Sequence, residues 1–119
     1  MFGLGPATKI YLAAEGVDMR KGFDGLYGLV RDRLGHDPLS GHLFLFSNRD
    51  RTRLKILVWD GSGLWVCAKR LEKGRFRWPA ATDASCLTMR AEELAMLLNG
   101  LDVAEGRPRK NWLRRLPAA

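Results

Sequence analysis

Three tight connections in succession limit what this chain can fold into. NRDRTR (48–53), GSG (61–63) and EKG (72–74) separate HLFLFS (His42–Ser47), LKILVWD (Leu54–Asp60), LWVCAKRL (Leu64–Leu71) and RFRWP (Arg75–Pro79). The four runs are rich in β-branched and aromatic residues, and the connections have hairpin length and turn chemistry. Strands joined in this way lie antiparallel and side by side, so the spacing predicts a meander. The first two runs are apolar on both faces, so something must cover each face or an edge. In the fourth, Arg75 and Arg77 alternate with Phe76 and Trp78, which predicts buried aromatics and displayed arginines. Successive hairpin turns alternate between the ends of a sheet. NRDRTR and EKGR therefore share one end, gathering Arg49, Arg51, Arg53, Lys73 and Arg75, while GSG lies at the other.

KIYLAA (Lys9–Ala14) reads as a short first strand. Asp18 can cap a following helix through its carboxylate. Met19, Phe23, Leu26, Tyr27, Val30 and Leu34 then recur at helical spacing, and Gly35 stands where a left-handed terminator belongs. The spacing predicts a helix over 19–34, then a loop over His36–Gly41. A second loop, Ala80–Leu87, precedes a helix near 89–99. Thr88 is the expected cap, Leu94, Leu97, Leu98 and Leu101 form the apolar stripe, and Glu92 and Glu93 sit at the positive end. The 119 residues suit one domain. The predicted class is α+β over 1–103: an antiparallel four- to five-stranded meander with two packed helices. Residues 104–119, with proline, charge and little apolar periodicity, read as a basic tail that contributes little to folding.

The start of the first helix, DMRKGFDGL, is unusual. Gly22, Gly25 and Gly28 recur every three residues, although a glycine inside a helix costs about 0.5–1 kcal/mol relative to alanine. A stripe without side chains lets another backbone approach, either within the domain's own core or on a partner. Arg20 and Lys21 stand where the helix dipole prefers acids, which points to a polyanion or a partner's acid nearby.

Charge is segregated along the chain. Residues 49–77 hold nine basic side chains against Asp50, Asp60 and Glu72, and 107–115 hold five with no acid; the net charge is +7. Arg77 belongs to the first group, and Arg109, Lys110, Arg114 and Arg115 to the second. Such clustering favours a polyanionic partner over a merely solvated basic surface. Trp112, in RKNWLRRL, has no evident core to join and is a candidate for docking to nucleic acid or a partner. Trp59, Trp65, Trp78, Phe44, Phe46 and Phe76 lie among aliphatic residues and read as core.

Catalytic chemistry is hard to find. Two-metal nucleases need carboxylates that converge on a metal pair. Asp18, Asp24, Asp60 and Glu72 are scattered, and Asp60 suits its own hairpin turn. Cys67 and Cys86 are 19 residues apart with only His36 and His42 to complete a zinc set. No phosphate-binding loop is present, and no cofactor or catalytic residue is expected. No apolar run nears the ~20 residues that span a bilayer, and MFGLGPATK lacks the features of a signal peptide. The expectation is a cytoplasmic protein with reduced thiols.

Four blocks, DMRKGFDGL, DPLSGHLFLF, LKILVWDGSGLWVCAKRLEKGRFRWP and LTMRAEELAMLLNGLD, occur in the order found in one family. From about Lys9 to Asp102 the chain resembles the second-reading-frame accessory proteins, called TnpB, of the IS-sixty-six class of bacterial insertion sequences. That resemblance implies assistance to transposition beside an element-encoded transposase, and it supplies no catalytic residues. Two classes of function follow. The first is a non-enzymatic accessory protein that binds element DNA, the transposase or both through a basic face. A pure protein adaptor that meets acidic transposase surface is a variant of it. The second is a small metal-dependent nuclease acting on element ends.

Overall fold

The computed structural model describes residues 5–80 and 83–100. The strands are β1 (Ile10–Ala13), β2 (Leu43–Ser47), β3 (Arg53–Trp59), β4 (Leu64–Arg70) and β5 (Cys86–Met89). Two helices, α1 (Phe23–Leu29) and α2 (Ala91–Asn99), accompany them. The sheet order is β4-β3-β2-β1-β5, so β2 is central, and all five of its residues are buried.

The two hairpins form as their turn chemistry predicts. β3 runs antiparallel to β2, with Phe44 opposite Leu57, and β4 antiparallel to β3, with Leu57 opposite Val66. The pure antiparallel meander does not hold. β1 pairs parallel to β2, with Ile10 beside Leu43 and Leu12 beside Leu45, so the sheet is mixed. A parallel neighbour requires a crossover connection, and residues 14–42, which contain α1, supply it. The three tight turns constrain only the other side of β2.

RFRWP is extended but is not a ladder strand. After β4 the chain folds back across the end of the sheet. Leu71 N–H donates to Thr52 O (2.9 Å) and Phe76 N–H to Arg51 O (2.7 Å). The Trp78 indole N–H donates to Ala13 O at 2.8 Å. Phe76 is buried and Arg75 and Arg77 are exposed, the alternation expected, but achieved by crossing the sheet rather than by joining it. The fifth strand is Cys86–Met89, placed by sequence in a loop and helix start. It pairs antiparallel with β1, setting Thr88 opposite Tyr11. Thr88 therefore caps nothing. α2 begins after Arg90, whose backbone N–H donates to the Glu93 carboxylate at 3.0 Å.

Strand alternation divides the core in two. Ile10, Leu12, Leu43, Leu45, Ile56 and Val58 face Leu94 and Leu97 of α2. Ala13, Phe44, Phe46 and Leu57 face Leu26, Val30 and Leu34. Each helix covers one face of the sheet, which is the cover that β2 and β3 require. A buried leucine of this kind contributes about 1.5–3 kcal/mol.

α1 begins at Phe23, four residues later than predicted. Met19 and Arg20 form a turn held by Asp18, whose carboxylate accepts the Arg20 N–H at 2.9 Å. The helix continues from Val30 to Leu34 with a π-helical turn and ends at Gly35, left-handed at φ 70°. Arg20 and Lys21 thus precede the helix, and its first-turn acid is Asp24. The conflict with the dipole disappears.

The glycine stripe is not packed within the domain. A Cβ at Gly22 or Gly28 would meet nothing within 4 Å, and one at Gly25 only the Lys21 side chain at 3.1 Å. The close backbone approach is at Gly16 instead. A Cβ there would lie 2.8 Å from Arg49 Cα and 2.9 Å from its nitrogen. Gly16→Ala should therefore destabilise by about 1–3 kcal/mol through overpacking. Gly28→Ala should stabilise by about 0.5–1 kcal/mol through helix propensity. Urea denaturation of the two variants checks both signs.

Candidate nucleic-acid interface

The β2–β3 turn is built around Asn48. Its amide oxygen accepts from Thr52 N–H (2.9 Å) and Arg53 N–H (3.0 Å), and its amide nitrogen donates to Thr52 Oγ1 (3.0 Å). The bonds from Leu71 and Phe76 lay the segment after β4 against this turn. Arg49, Arg53, Lys73 and Arg75 therefore stand at one end of the sheet, all exposed.

Pairing adds a residue to this group that the sequence reading left out. Arg53 on β3 lies directly opposite Arg70 on β4. Both share a face with Lys55 and Ala68, the α1 side of the sheet. Together with Met19 these residues line an open groove of about 400 Å³. The Lys55 ammonium donates to Lys21 O at 2.8 Å and so ties the approach to α1 to the groove's edge. The signal for Arg70 was present in the sequence. Asp60 N–H bonds to Gly63 O at 3.0 Å, and counting outward from that closure sets 53 opposite 70.

Like charges directly opposite on adjacent strands repel. Among the described residues no ion pair involves Arg49, Arg53, Arg70, Lys73 or Arg75. Asp50 and Glu72, in the two turns, are the acids nearest in sequence.

Other predicted site residues fall elsewhere. Arg51 is turned inward. Its guanidinium donates to Ser47 Oγ (2.6 Å) and Ala14 O (2.8 Å) and lies 4.9 Å from the Trp78 ring centroid. Burial lowers its pKa, but an arginine remains charged. It is a structural clasp and cannot reach an external phosphate while these bonds hold. Arg20 is paired with Asp18 (2.8 Å), and the hydrogen bonds from Arg20 hold the Asp18 carboxyl down at about 2. Arg77 borders a separate groove with Met89, Glu93 and Met96. Arg109, Lys110, Trp112, Arg114 and Arg115 lie outside the described residues.

Asp60, the two histidines and the two cysteines have partners within the fold. Asp60 accepts from Ser62 N–H (2.9 Å), Gly63 N–H (2.9 Å) and the Trp65 indole (2.6 Å). His42 Nδ1 accepts from Lys9 N–H (3.0 Å), and His36 stacks on Tyr11 with centroids 4.0 Å apart. Cys67 and Cys86 pack against cores on opposite faces of the sheet. Among the described residues no three His, Cys, Asp or Glu side chains stand close enough to hold a metal. No helix among them is long and apolar enough to cross a membrane.

The sequence profile described as "IS66 Orf2 like protein" matches residues 8–108. The chain belongs to the IS66 Orf2-like family. Two relatives from Sinorhizobium fredii accompany it. An uncharacterized protein, y4jC, is 39% identical over 102 residues, covering 86% of each chain. A second, y4hO, is 35% identical over 112 residues, covering 94% of this chain and 95% of its own. No solved structure matches. The IS66 Orf2-like proteins are accessory proteins of insertion sequences, and theirs is not a known enzyme family.

Two measurements separate clasp from surface. Arg51→Ala should cost about 1.5–3 kcal/mol, the worth of hydrogen bonds to a charged group. Arg49→Ala should stay within about 0.5 kcal/mol of the parent. Asp60 supplies a pH signature. Bonds from the Ser62 backbone, then the Trp65 indole, lower its pKa from 3.8 to about 2. A carboxylate held low when folded contributes stability that is complete above its unfolded pKa and lost as pH falls through the folded one. Asp60→Asn should accordingly flatten the loss of stability between about pH 4 and pH 2 in acid titration.

Proposed function

We propose that this chain is a non-enzymatic accessory protein of DNA transposition that binds element DNA through the basic end of its sheet. It acts beside the element-encoded transposase. The observation that carries this reading is the Arg53–Arg70 pair. The two arginines are partners across the ladder, both exposed and both lining an open groove, with no carboxylate partner among the described residues, and Arg49, Lys73 and Arg75 stand exposed at the same end of the sheet. The planar fork of arginine suits phosphate oxygens, and an anion between the two relieves their repulsion. Beyond a domain over 1–103, residues 104–119 add five basic side chains to the net positive charge.

A pure adaptor is the second reading, because the same forks suit carboxylates. Met19 and Ala68, the apolar floor of the groove, favour a protein partner. Salt dependence distinguishes the two. With four or five phosphate contacts, the log of DNA affinity should fall against log salt with a slope near about −4. Replacing Arg53, Arg70 and Arg75 together by glutamine should remove most of that slope while the melting temperature holds. If the triple variant binds DNA as the parent does, the basic end is not the site. Loss of transposase capture without any DNA binding by the parent establishes the adaptor instead.

A further inference from the structure

We infer that the basic end takes duplex DNA by its phosphate backbone and does not read base sequence, an inference that rests on the DNA-binding reading above. Sequence readout needs an element that enters a groove and side chains that match base edges. Neither helix offers one. The exposed surface of α2 opens with Glu92 and Glu93 and continues to Met96, so it is acidic and apolar. On the helix formed by α1 and its π-helical extension, Arg31 is paired with Asp32 at 2.9 Å, and Arg33, the other arginine there, borders a pocket that Glu15 and Asp18 also line. The β3–β4 ribbon cannot enter a groove by its cationic face either. Leu57 and Val66 on that face are packed in the core beneath α1. Only the end of the ribbon, with Arg53 and Arg70, is left open.

The side chains point the same way. Adenine is read by the paired donor and acceptor of an asparagine or glutamine amide. The chain has no glutamine. Asn48, the asparagine at this end, has its oxygen and its nitrogen engaged within its own turn. Single strands are gripped by aromatic rings on which bases stack. Phe76 is buried, and Trp78 lies against the Arg51 guanidinium with its indole N–H given to Ala13. Among the described residues the exposed aromatics are Phe23, which does not line the groove, and Trp65, two residues past the GSG turn, whose indole N–H is given to Asp60. What remains is a set of cations on a rigid end, suited to the regular charge of a duplex.

The test is fluorescence anisotropy with the full chain on three probes of equal length: the element's end duplex, a scrambled duplex of the same composition, and the single end strand. The two duplexes should bind within about twofold of each other, far from the about 10³-fold or greater preference of a sequence-specific protein. The single strand should bind more weakly, with a shallower salt slope. Arg53→Lys, which keeps charge but loses the fork, should weaken both duplexes equally. A strong preference for the end duplex, or a loss confined to it in Arg53→Lys, overturns backbone-only recognition. Tighter binding to the single strand overturns the duplex assignment. Both results leave the DNA-binding reading standing, whereas no binding to any probe overturns that reading and this one together.

Discussion

The fold depends on a strand with no face to spare. Every residue of β2 is buried, so water can reach neither side of it nor its edges. Such a strand must be internal to the sheet and covered above and below. The rest of the topology meets that demand. A crossover brings α1 onto one face and leaves β1 parallel beside β2. Two hairpins then build β3 and β4 on the other side. The second face still needs a helix, and the chain has reached the wrong edge. Residues 71–80 lead back across the end of the sheet, β5 lies beside β1, and α2 follows it directly. The long return is thus a consequence of double-sided burial, and Leu71 and Phe76 are the buried core residues it contributes on the way.

That return makes the end of the sheet rigid. Three segments meet there: the loop after β1, the β2–β3 turn and the crossing chain. Arg51, at φ 60°, holds all three through Ala14 O, Ser47 Oγ and the Trp78 ring. Gly16 lets the first loop lie against the backbone of Arg49. A left-handed non-glycine residue is held only where its surroundings over-determine it. The exposed cations around this corner are consequently presented by a fixed backbone, and a fixed display reduces the ordering cost of binding.

Much of this was legible from the sequence because it is local. Turn residues announced the two hairpins, helical spacing placed Leu26, Val30 and Leu34, and the alternation of turns gathered the basic residues at one end. What failed was long-range or ambiguous. Nothing in KIYLAA distinguishes a parallel neighbour from an antiparallel one, since that depends on which side of β2 the crossover returns to. CLTM is four residues long, and its threonine reads equally well as a strand residue or a helix cap. Arg51 looks like its neighbours Arg49 and Arg53. Only the return of residues 71–80 supplies the tryptophan that covers it. Of the glycines of α1, Gly28 has no neighbour within 4 Å of a Cβ position and Gly25 only the flexible Lys21 side chain nearest it, so close backbone packing within the domain does not explain their cost.

The basic side chains of the β3–β4 hairpin are divided by chemistry. Lys55 gives its ammonium to Lys21 O, on the approach to α1, and Lys69 gives its own to Leu98 O, in the last turn of α2. The first fastens the segment before α1 to the sheet and the second fastens α2, where it also meets the negative end of the helix dipole. A compact ammonium on a flexible stem suits a lone carbonyl. The arginines at the hairpin's end receive no such task. Arg53 and Arg70 repel across the ladder at a cost of about 0.2–1 kcal/mol, and one neutral residue in place of either would remove it. A small domain with a stability of about 5–15 kcal/mol can tolerate that cost, but folding alone does not require it. An anion between the two forks would offset that repulsion, which is the state that the proposed function assigns to the pair.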